Sequence, residues 1–184
     1  MSQLSLSLDS SLLVRDAQGR YLLASADQIL AAARQVIDLK NPRGTLFTSP
    51  VLVKDYLRTK LASFGHEVFA ALFLDSQHRL LSLDKMFTGT LGQTSVYPRE
   101  VVKRALARNA AAVILAHNHP SGDPTPSRED LSVTRKLAAA CETVGLVLFD
   151  HLVVVDHPTM GLRATSLAER GEIPAHRAAY SFTA

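Results

Sequence analysis

Residues 116–131 read AHNHPSGDPTPSREDL, and the predicted fold is built around them. The stretch follows an apolar run, residues 111–116, of the kind that forms a short strand buried on both faces. Side chains two positions apart on a strand project to the same side, so His117 and His119 are expected to face one point at its end. The connection that follows contains residues that prevent regular structure, namely Pro120, Gly122, Pro124 and Pro126.

A helix is predicted to begin at Ser127, directly after this connection. Its first turn carries Asp130, whose carboxylate can turn back toward the two histidines. Two imidazoles and one carboxylate leave a fourth position for water, which is the arrangement of a catalytic rather than a structural zinc site. The sequence therefore predicts one Zn²⁺ per chain, bound by His117, His119 and Asp130.

A helix cap is the alternative interpretation of Ser127 and Asp130. Their spacing fits a capping box, in which two side chains satisfy the first backbone amides of a helix. A cap alone leaves the pair formed by His117 and His119 without an explanation. The cap and the metal roles can also coexist on the same residues.

The spacing of these residues resembles a known motif. His117-x-His119, seven residues, Ser127, two residues and Asp130 together look like the JAMM motif of the JAB/MPN metalloproteases. A longer match resembles the RadC-like branch of that superfamily: HNHPSGDPTPS, with YPREVVKRALARNAAAVILAHNHPSG before it and FDHLVVVD after it. The resemblance covers residues 45–170, which is most of the chain.

This resemblance implies an enzyme, a JAMM-type zinc metalloprotease that hydrolyses an amide, peptide or isopeptide bond. In this family a glutamate on an earlier strand completes the site, and the matching residue is Glu67 in HEVFAALFLD. Glu67 is then expected to be the general base, and Ser127 to donate a hydrogen bond to the developing oxyanion. Position alone favours a different interpretation of Glu67, since an acidic residue at a strand end is usually only solvated.

The predicted fold class is α/β, a mixed sheet flanked by helices on both faces. It resembles the JAB/MPN fold, which is similar in layout to the cytidine deaminases. A deaminase site is excluded, because it needs a Cys-x-x-Cys pair and Cys141 is the only cysteine of the chain. The predicted helices cover residues 26–39, 51–63, 98–109 and 128–143, and the predicted strands cover 67–74, 79–84, 111–116 and 146–155.

Asp150 and His151 place polar side chains inside the last predicted strand, where burial costs free energy unless they are hydrogen-bonded. Two interpretations stay open for this pair. The side chains orient the metal ligands, or they satisfy loop backbone. Neither residue is expected to bind the metal directly.

Three parts of the chain are predicted. Residues 1–45 form an N-terminal helical arm whose role the sequence does not define, and residues 46–170 form the RadC-like JAB/MPN metallohydrolase domain. Residues 171–184 form a mobile tail. Full-length RadC proteins carry a helix-hairpin-helix region in front of the domain, and the chain resembles a short form without it.

The composition of the chain bears on its cellular location and on its binding partners. The single cysteine favours a cytoplasmic location, and neither a signal peptide nor a membrane-spanning stretch is recognised. The expected partner is a peptide or protein-conjugate substrate, and the sequence does not define an oligomeric state. Two other functions stay open: a DNA-associated accessory protein of RadC type and a non-catalytic MPN scaffold. A net charge of +3 gives weak support for DNA association, and the complete motif disfavours the scaffold.

Overall fold

The computed structural model describes residues 12–61, 64–89, 96–157 and 161–173. The chain divides into two compact units, residues 1–39 and 40–184. In the first unit, a short antiparallel hairpin precedes a 15-residue helix in which no residue is buried. These elements are β1 (Leu13–Arg15), β2 (Tyr21–Leu23) and α1 (Ala26–Lys40).

The second unit is built on a five-stranded sheet with the strand order β4-β3-β5-β6-β7. The pair β5 and β6 is parallel, and the other three pairs are antiparallel, so the sheet is mixed as predicted. Its strands are β3 (Val68–Leu74), β4 (Leu80–Thr88), β5 (Ala112–Asn118), β6 (Val147–His157) and β7 (Gly161–Ser166). Its helices are α2 (Pro50–Leu61), α3 (Pro98–Ala107) and α4 (Arg128–Thr143).

The central strands are buried on both faces because helices cover both sides of the sheet. Every residue of β3 and β5 is buried, which matches their nearly continuous apolar sequences. Phe73 and Leu115 on one face pack in a single cluster with Val101 of α3 and Leu137 of α4. Helix α2 contacts β5, β6 and β7 and lies outside that cluster, so it covers the opposite face. The predicted mixed sheet with helices on both faces is therefore confirmed.

Local differences from the prediction have identifiable causes. The strand that contains Asp150 and His151 is continuous, and its register against β5 shifts by one residue where Ile114 faces Asp150. This bulge places Asp150 where other groups hydrogen-bond to it. Strand β7 was not predicted, because it is a short and mostly exposed edge strand without apolar alternation.

Two further predictions concern a membrane-spanning helix and the C-terminal tail. Among the described residues, no helix combines the length and the apolar character needed to cross a lipid bilayer. The tail predicted over residues 171–184 lies outside the described residues from 174 onward.

Candidate metal centre

Three potential metal ligands meet at the end of β5. His117 Nε2 lies 2.9 Å from His119 Nε2 and 3.2 Å from Asp130 Oδ1. His119 Nε2 lies 3.4 Å from Asp130 Oδ2. Ligand atoms around a tetrahedral zinc ion at about 2.1 Å are separated by about 3.4 Å, so the three side chains already have the spacing of a metal site. Within the described part of the chain, this is the set of side chains that could hold a metal ion.

The secondary structure explains why these three side chains converge. His117 is the penultimate residue of β5, and His119 follows the strand directly. Both side chains project from the same side of the extended chain. The turn residues then reverse the chain, and Asp130 returns in the first turn of α4.

The hydrogen bonds of His119 show which of its nitrogen atoms is available. Its Nδ1 lies 2.9 Å from the carbonyl oxygen of Asp123. A carbonyl only accepts hydrogen bonds, so Nδ1 carries a proton and donates it. In the neutral imidazole, Nε2 then presents its lone pair toward His117 and Asp130.

A chain of hydrogen bonds fixes His117 in the same way. Thr134 Oγ1 donates to the carbonyl oxygen of Asp130 at 2.6 Å. The hydroxyl therefore accepts from His151 Nδ1, also at 2.6 Å. His151 Nε2 is left as an acceptor, and His117 Nδ1 donates to it at 2.8 Å. His117 Nε2 consequently carries a lone pair.

The two free lone pairs favour a bound cation. His117 Nε2 and His119 Nε2 are 2.9 Å apart, and two acceptors at this distance repel each other unless a proton or a metal ion lies between them. Asp130 adds a negative charge at the same point. Imidazole nitrogen and carboxylate oxygen suit Zn²⁺ and also other divalent ions. The residues present therefore fit a divalent metal ion.

The pKa shifts of His119 and Asp130 agree with a negative charge at this cluster. Burial lowers the pKa of His119, but its hydrogen bonds to Asp130 and Asp123 and the charges of Asp130 and Glu67 outweigh this effect and raise the pKa above 6.5. Burial raises the pKa of Asp130, but the adjacent imidazoles of His117 and His119 and the hydroxyl of Ser127 hold it far below its usual range. Burial lowers the pKa of His151, which keeps that ring neutral and able to accept from His117.

Ser127 and Asp130 also form the helix cap that their spacing predicts. Asp130 N donates to Ser127 Oγ at 3.0 Å, and Ser127 N donates to Asp130 Oδ2 at 2.7 Å. Both halves of the capping box are thus present at the start of α4. The hydroxyl of Ser127 donates to Asp130 Oδ2 as well, at 2.7 Å. The cap and the metal-binding geometry coexist on the same two residues.

Glu67 lies on the open side of the cluster. It precedes β3 and shares a cleft of about 330 Å³ with His119 and Ser127. Its charge is near enough to raise the pKa of His119. The loop after β5 lines the rest of this cleft, and His117 and Asp130 are buried.

Asp150 and His151 have different roles, although they are adjacent in the sequence and were interpreted as one pair. His151 contacts the ligand His117, as described above. Asp150 accepts from His151 N at 2.7 Å, from Ala168 N at 3.0 Å and from Ser166 Oγ at 2.6 Å, so it fixes the backbone after β7. Each of the two open interpretations therefore applies to one of the residues.

Two polar residues near the site were not singled out from the sequence. Thr134 lies four residues after Asp130, which places both residues on one face of α4. Asn118 lies between the two histidines, and strand alternation directs its side chain away from them. The signal that could have identified Asn118 is a polar residue at the end of an otherwise apolar strand.

Comparisons with known proteins agree on one family. A family model described as RadC-like JAB domain matches residues 47–171. A UPF0758 protein of Methylibium petroleiphilum is 54% identical over 143 residues, which are 78% of this chain and 62% of that protein. A UPF0758 protein of Vibrio cholerae is 47% identical over 155 residues, which are 83% of this chain and 94% of that protein. The chain thus spans 62% of the first relative's length but nearly all of the second's.

Proposed function

This chain belongs to the RadC-like JAB domain family, and on that basis we propose that it is a zinc-dependent metallohydrolase of JAMM type that cleaves an amide, peptide or isopeptide bond. The observation that carries the proposal is the convergence of His117, His119 and Asp130 beside a cleft that Glu67 and Ser127 line. Metal ligands, a carboxylate base and a hydroxyl donor are the groups that metal-assisted hydrolysis requires.

The proposed chemistry assigns a task to each residue. His117, His119 and Asp130 would hold the zinc ion, which would lower the pKa of a bound water from 15.7 to about 7. Glu67 takes a proton from the attacking water and delivers it to the leaving amine. Ser127 donates a hydrogen bond from its hydroxyl to the oxyanion of the tetrahedral intermediate. Removing a comparable donor from other enzymes raises the transition-state free energy by about 3 kcal/mol. His151 and Thr134 keep His117 in the tautomer that binds metal.

Cys141 does not offer a competing nucleophile. Its thiol is buried on α4, and burial raises its pKa to about 11. A nucleophilic cysteine needs the opposite, a thiolate that is exposed and stabilised by positive charge. The burial of Cys141 supports hydrolysis by activated water rather than by a covalent thioester.

The substrate that we propose is a peptide or a protein conjugate in the cytoplasm. The cleft is open to solvent, which suits an extended chain. A small closed pocket would have favoured a small molecule instead.

The first test is the metal content of the protein purified without a chelator or a metal-binding tag. We expect about one zinc ion per chain, lost in His119→Ala and in Asp130→Ala. Glu129→Ala is the matched control, because Glu129 is an exposed acidic residue in the same helical turn as Asp130. If the wild-type chain takes up no metal even when zinc is supplied, the cluster is only a helix cap with two histidines, and the DNA-associated or scaffold function becomes the better explanation.

The second test separates metal binding from catalysis. Glu67→Gln should retain the metal ion and lose hydrolysis of peptide or isopeptide substrates by a factor of about 10² to 10⁴, the range that a general base contributes. Full turnover by this variant on a substrate that the wild type cleaves would remove Glu67 from the role of base.

A further inference from the structure

Asn118 is a buried polar residue between the two histidines of the metal cluster. It is 1% exposed, and its side chain points to the face of β5 opposite His117 and His119. A buried amide costs free energy unless its donors and acceptor are paired. The hydrogen-bond partners of its side chain lie in residues 64–68, which lead into the start of β3.

The hydrogen bonds of Asn118 enclose Glu67. Its Oδ1 accepts from Val68 N at 2.8 Å. Its Nδ2 donates to the carbonyl oxygen of His66 at 3.0 Å and to that of Phe64 at 3.1 Å. One side chain therefore holds the peptide group before Glu67 and the peptide group after it.

A further hydrogen bond completes the restraint on Glu67. Gly89 N donates to the carbonyl oxygen of Glu67 at 2.9 Å, which ties the same segment to the end of β4. With both flanking peptide groups fixed, the direction of the Cα–Cβ bond of Glu67 is fixed as well. The backbone thus sets the direction of the Glu67 side chain, and only the side-chain torsion angles of Glu67 remain to place its carboxylate.

The sheet register explains why this restraint keeps Glu67 on the metal face. The paired ladder of β3 and β5 ends where Phe69 faces His117. One step further along, the side chain of Asn118 continues the pairing by binding Val68 N. Glu67 therefore retains the alternation of the strand and points to the same face as Phe69, whose ring is stacked 6.3 Å from that of His117.

We propose that Asn118 is a positioning residue for Glu67, and that the amide side chain holds the backbone on both sides of Glu67 so that its carboxylate faces the metal cluster. This inference rests on the proposed function, because it concerns the general base of that reaction. The three-residue segment from His117 to His119 then serves the site from both faces of β5: the outer residues bind the metal, and the central residue aligns the base.

The restraint itself can be tested without metal or substrate. In the metal-free wild type, amide exchange measured by NMR should be slow at Val68, because its N–H is buried and bonded to Asn118. Asn118→Ala should accelerate exchange at Val68 while leaving Leu115 in the centre of the sheet protected. Unchanged protection at Val68 would show that Asn118 does not hold this segment and would overturn the inference.

The effect on Glu67 is tested with acetohydroxamate, a small metal-chelating probe whose hydroxyl can hydrogen-bond to the carboxylate. The probe is bound to the cobalt-substituted protein, and its binding is followed by visible absorption. We expect Glu67→Gln and Asn118→Ala each to weaken this probe about tenfold or more, the factor expected for one hydrogen bond to a charged group. The double variant should be no weaker than Glu67→Gln alone, because both changes remove the same interaction. Metal content should stay at the wild-type level throughout.

Catalytic rates and a matched control distinguish alignment from general destabilisation. On any cleaved substrate, Asn118→Ala should lower kcat by a factor of about 10² with little change in KM, as expected when a reacting group is displaced by about 1 Å. Leu148→Ala is the control, since Leu148 is buried on β6 opposite Val113, at the far end of β5 from the cluster. It should lower stability and leave probe binding unchanged.

If Asn118→Ala unfolds, Asn118→Leu replaces it, because leucine fills a similar volume and makes none of the three hydrogen bonds. Probe binding and kcat at wild-type levels in a folded Asn118 variant would overturn the inference even if Glu67 proves to be the base. If instead Glu67→Gln leaves both quantities unchanged, the proposed role of Glu67 fails and the positioning role fails with it.

Discussion

Thr134 sets the tautomer of His117, a proposed metal ligand that it does not touch. Its hydroxyl must donate to the carbonyl oxygen of Asp130, and this direction is passed through His151 to His117. Thr134→Val keeps the shape of the side chain but removes the hydroxyl, so His151 is free to adopt the other tautomer. We expect metal affinity, measured by competition with a coloured chelator, to fall by a factor of about 10 to 100.

Thr134→Ser is the control for this change, because it restores the hydroxyl without the methyl group. Its metal affinity should be close to that of the wild type. If Thr134→Ser weakened metal binding as much as Thr134→Val does, the hydrogen-bond direction set by the hydroxyl would not explain the loss.

Asp150 gives a pH-dependent prediction at the same scale. Burial raises its pKa above the ordinary 3.8, although hydrogen bonds from Ser166, Ala168 and His151 act in the opposite direction. A carboxyl group with a raised pKa in the folded state contributes stability that is fully present below the unfolded pKa and is lost as the pH rises through the folded pKa. The amide of an asparagine side chain does not titrate, so the stability of Asp150→Asn relative to the wild type should increase as the pH rises from 3.8 toward neutrality.

Urea unfolding across this pH range measures the difference. Asp156→Asn, at an exposed position of the same strand, controls for the loss of one negative charge. A difference between Asp150→Asn and the wild type that shrinks with rising pH would mean that the hydrogen bonds of Asp150 outweigh its burial.

The residues of the cluster were partly predictable because their spacing is local information. Strand alternation relates His117 to His119, and a helix start relates Ser127 to Asp130. The contact between His117 and His151 depends on which strands are neighbours and in which register, and periodicity does not contain that information. The catalytic roles of Glu67 and Ser127 stay predictions, since geometry places them at the cleft without showing the reaction.

At the scale of elements, the start of α4 combines a helix cap with a proposed catalytic residue, Ser127. Ser127→Ala removes the hydroxyl that accepts from Asp130 N, and we expect the free energy of unfolding to fall by about 1 kcal/mol. The same change should lower kcat by a factor of about 10² to 10³ if Ser127 also donates to the oxyanion. Chemical denaturation and steady-state kinetics on one preparation give both values.

Ser49→Ala is the matched control, because Ser49 caps α2 by accepting from Leu52 N at 3.4 Å. It should destabilise the protein by a similar or smaller amount and leave kcat unchanged. A Ser127→Ala variant with reduced stability and full activity would leave Ser127 as a cap alone.

The elements themselves were predicted best where local signals mark both ends. Helix α4 runs from Arg128 to Thr143 as predicted, because Ser127 caps its start and Gly145, with a φ of 71°, follows its end. The hairpin of β1 and β2 was not predicted, since each strand has only three residues and most of them are exposed. Short strands of this kind are specified by pairing more than by their own sequence.

At the scale of the whole molecule, the proposed metal ion joins parts that fold from different stretches of the second unit. His117 and His119 belong to β5 and the residue after it, whereas Asp130 belongs to α4. An ion bound to all three binds only the folded state, and free metal at about 100 times its dissociation constant then stabilises the fold by about 2.7 kcal/mol. We expect the thermal midpoint of the wild type to rise when zinc is added and to fall again with a chelator. Asp130→Ala should abolish the rise, while Glu129→Ala should retain it. An equal rise in both variants would mean that zinc stabilises the protein from another position, and the cluster at the end of β5 would no longer account for the metal.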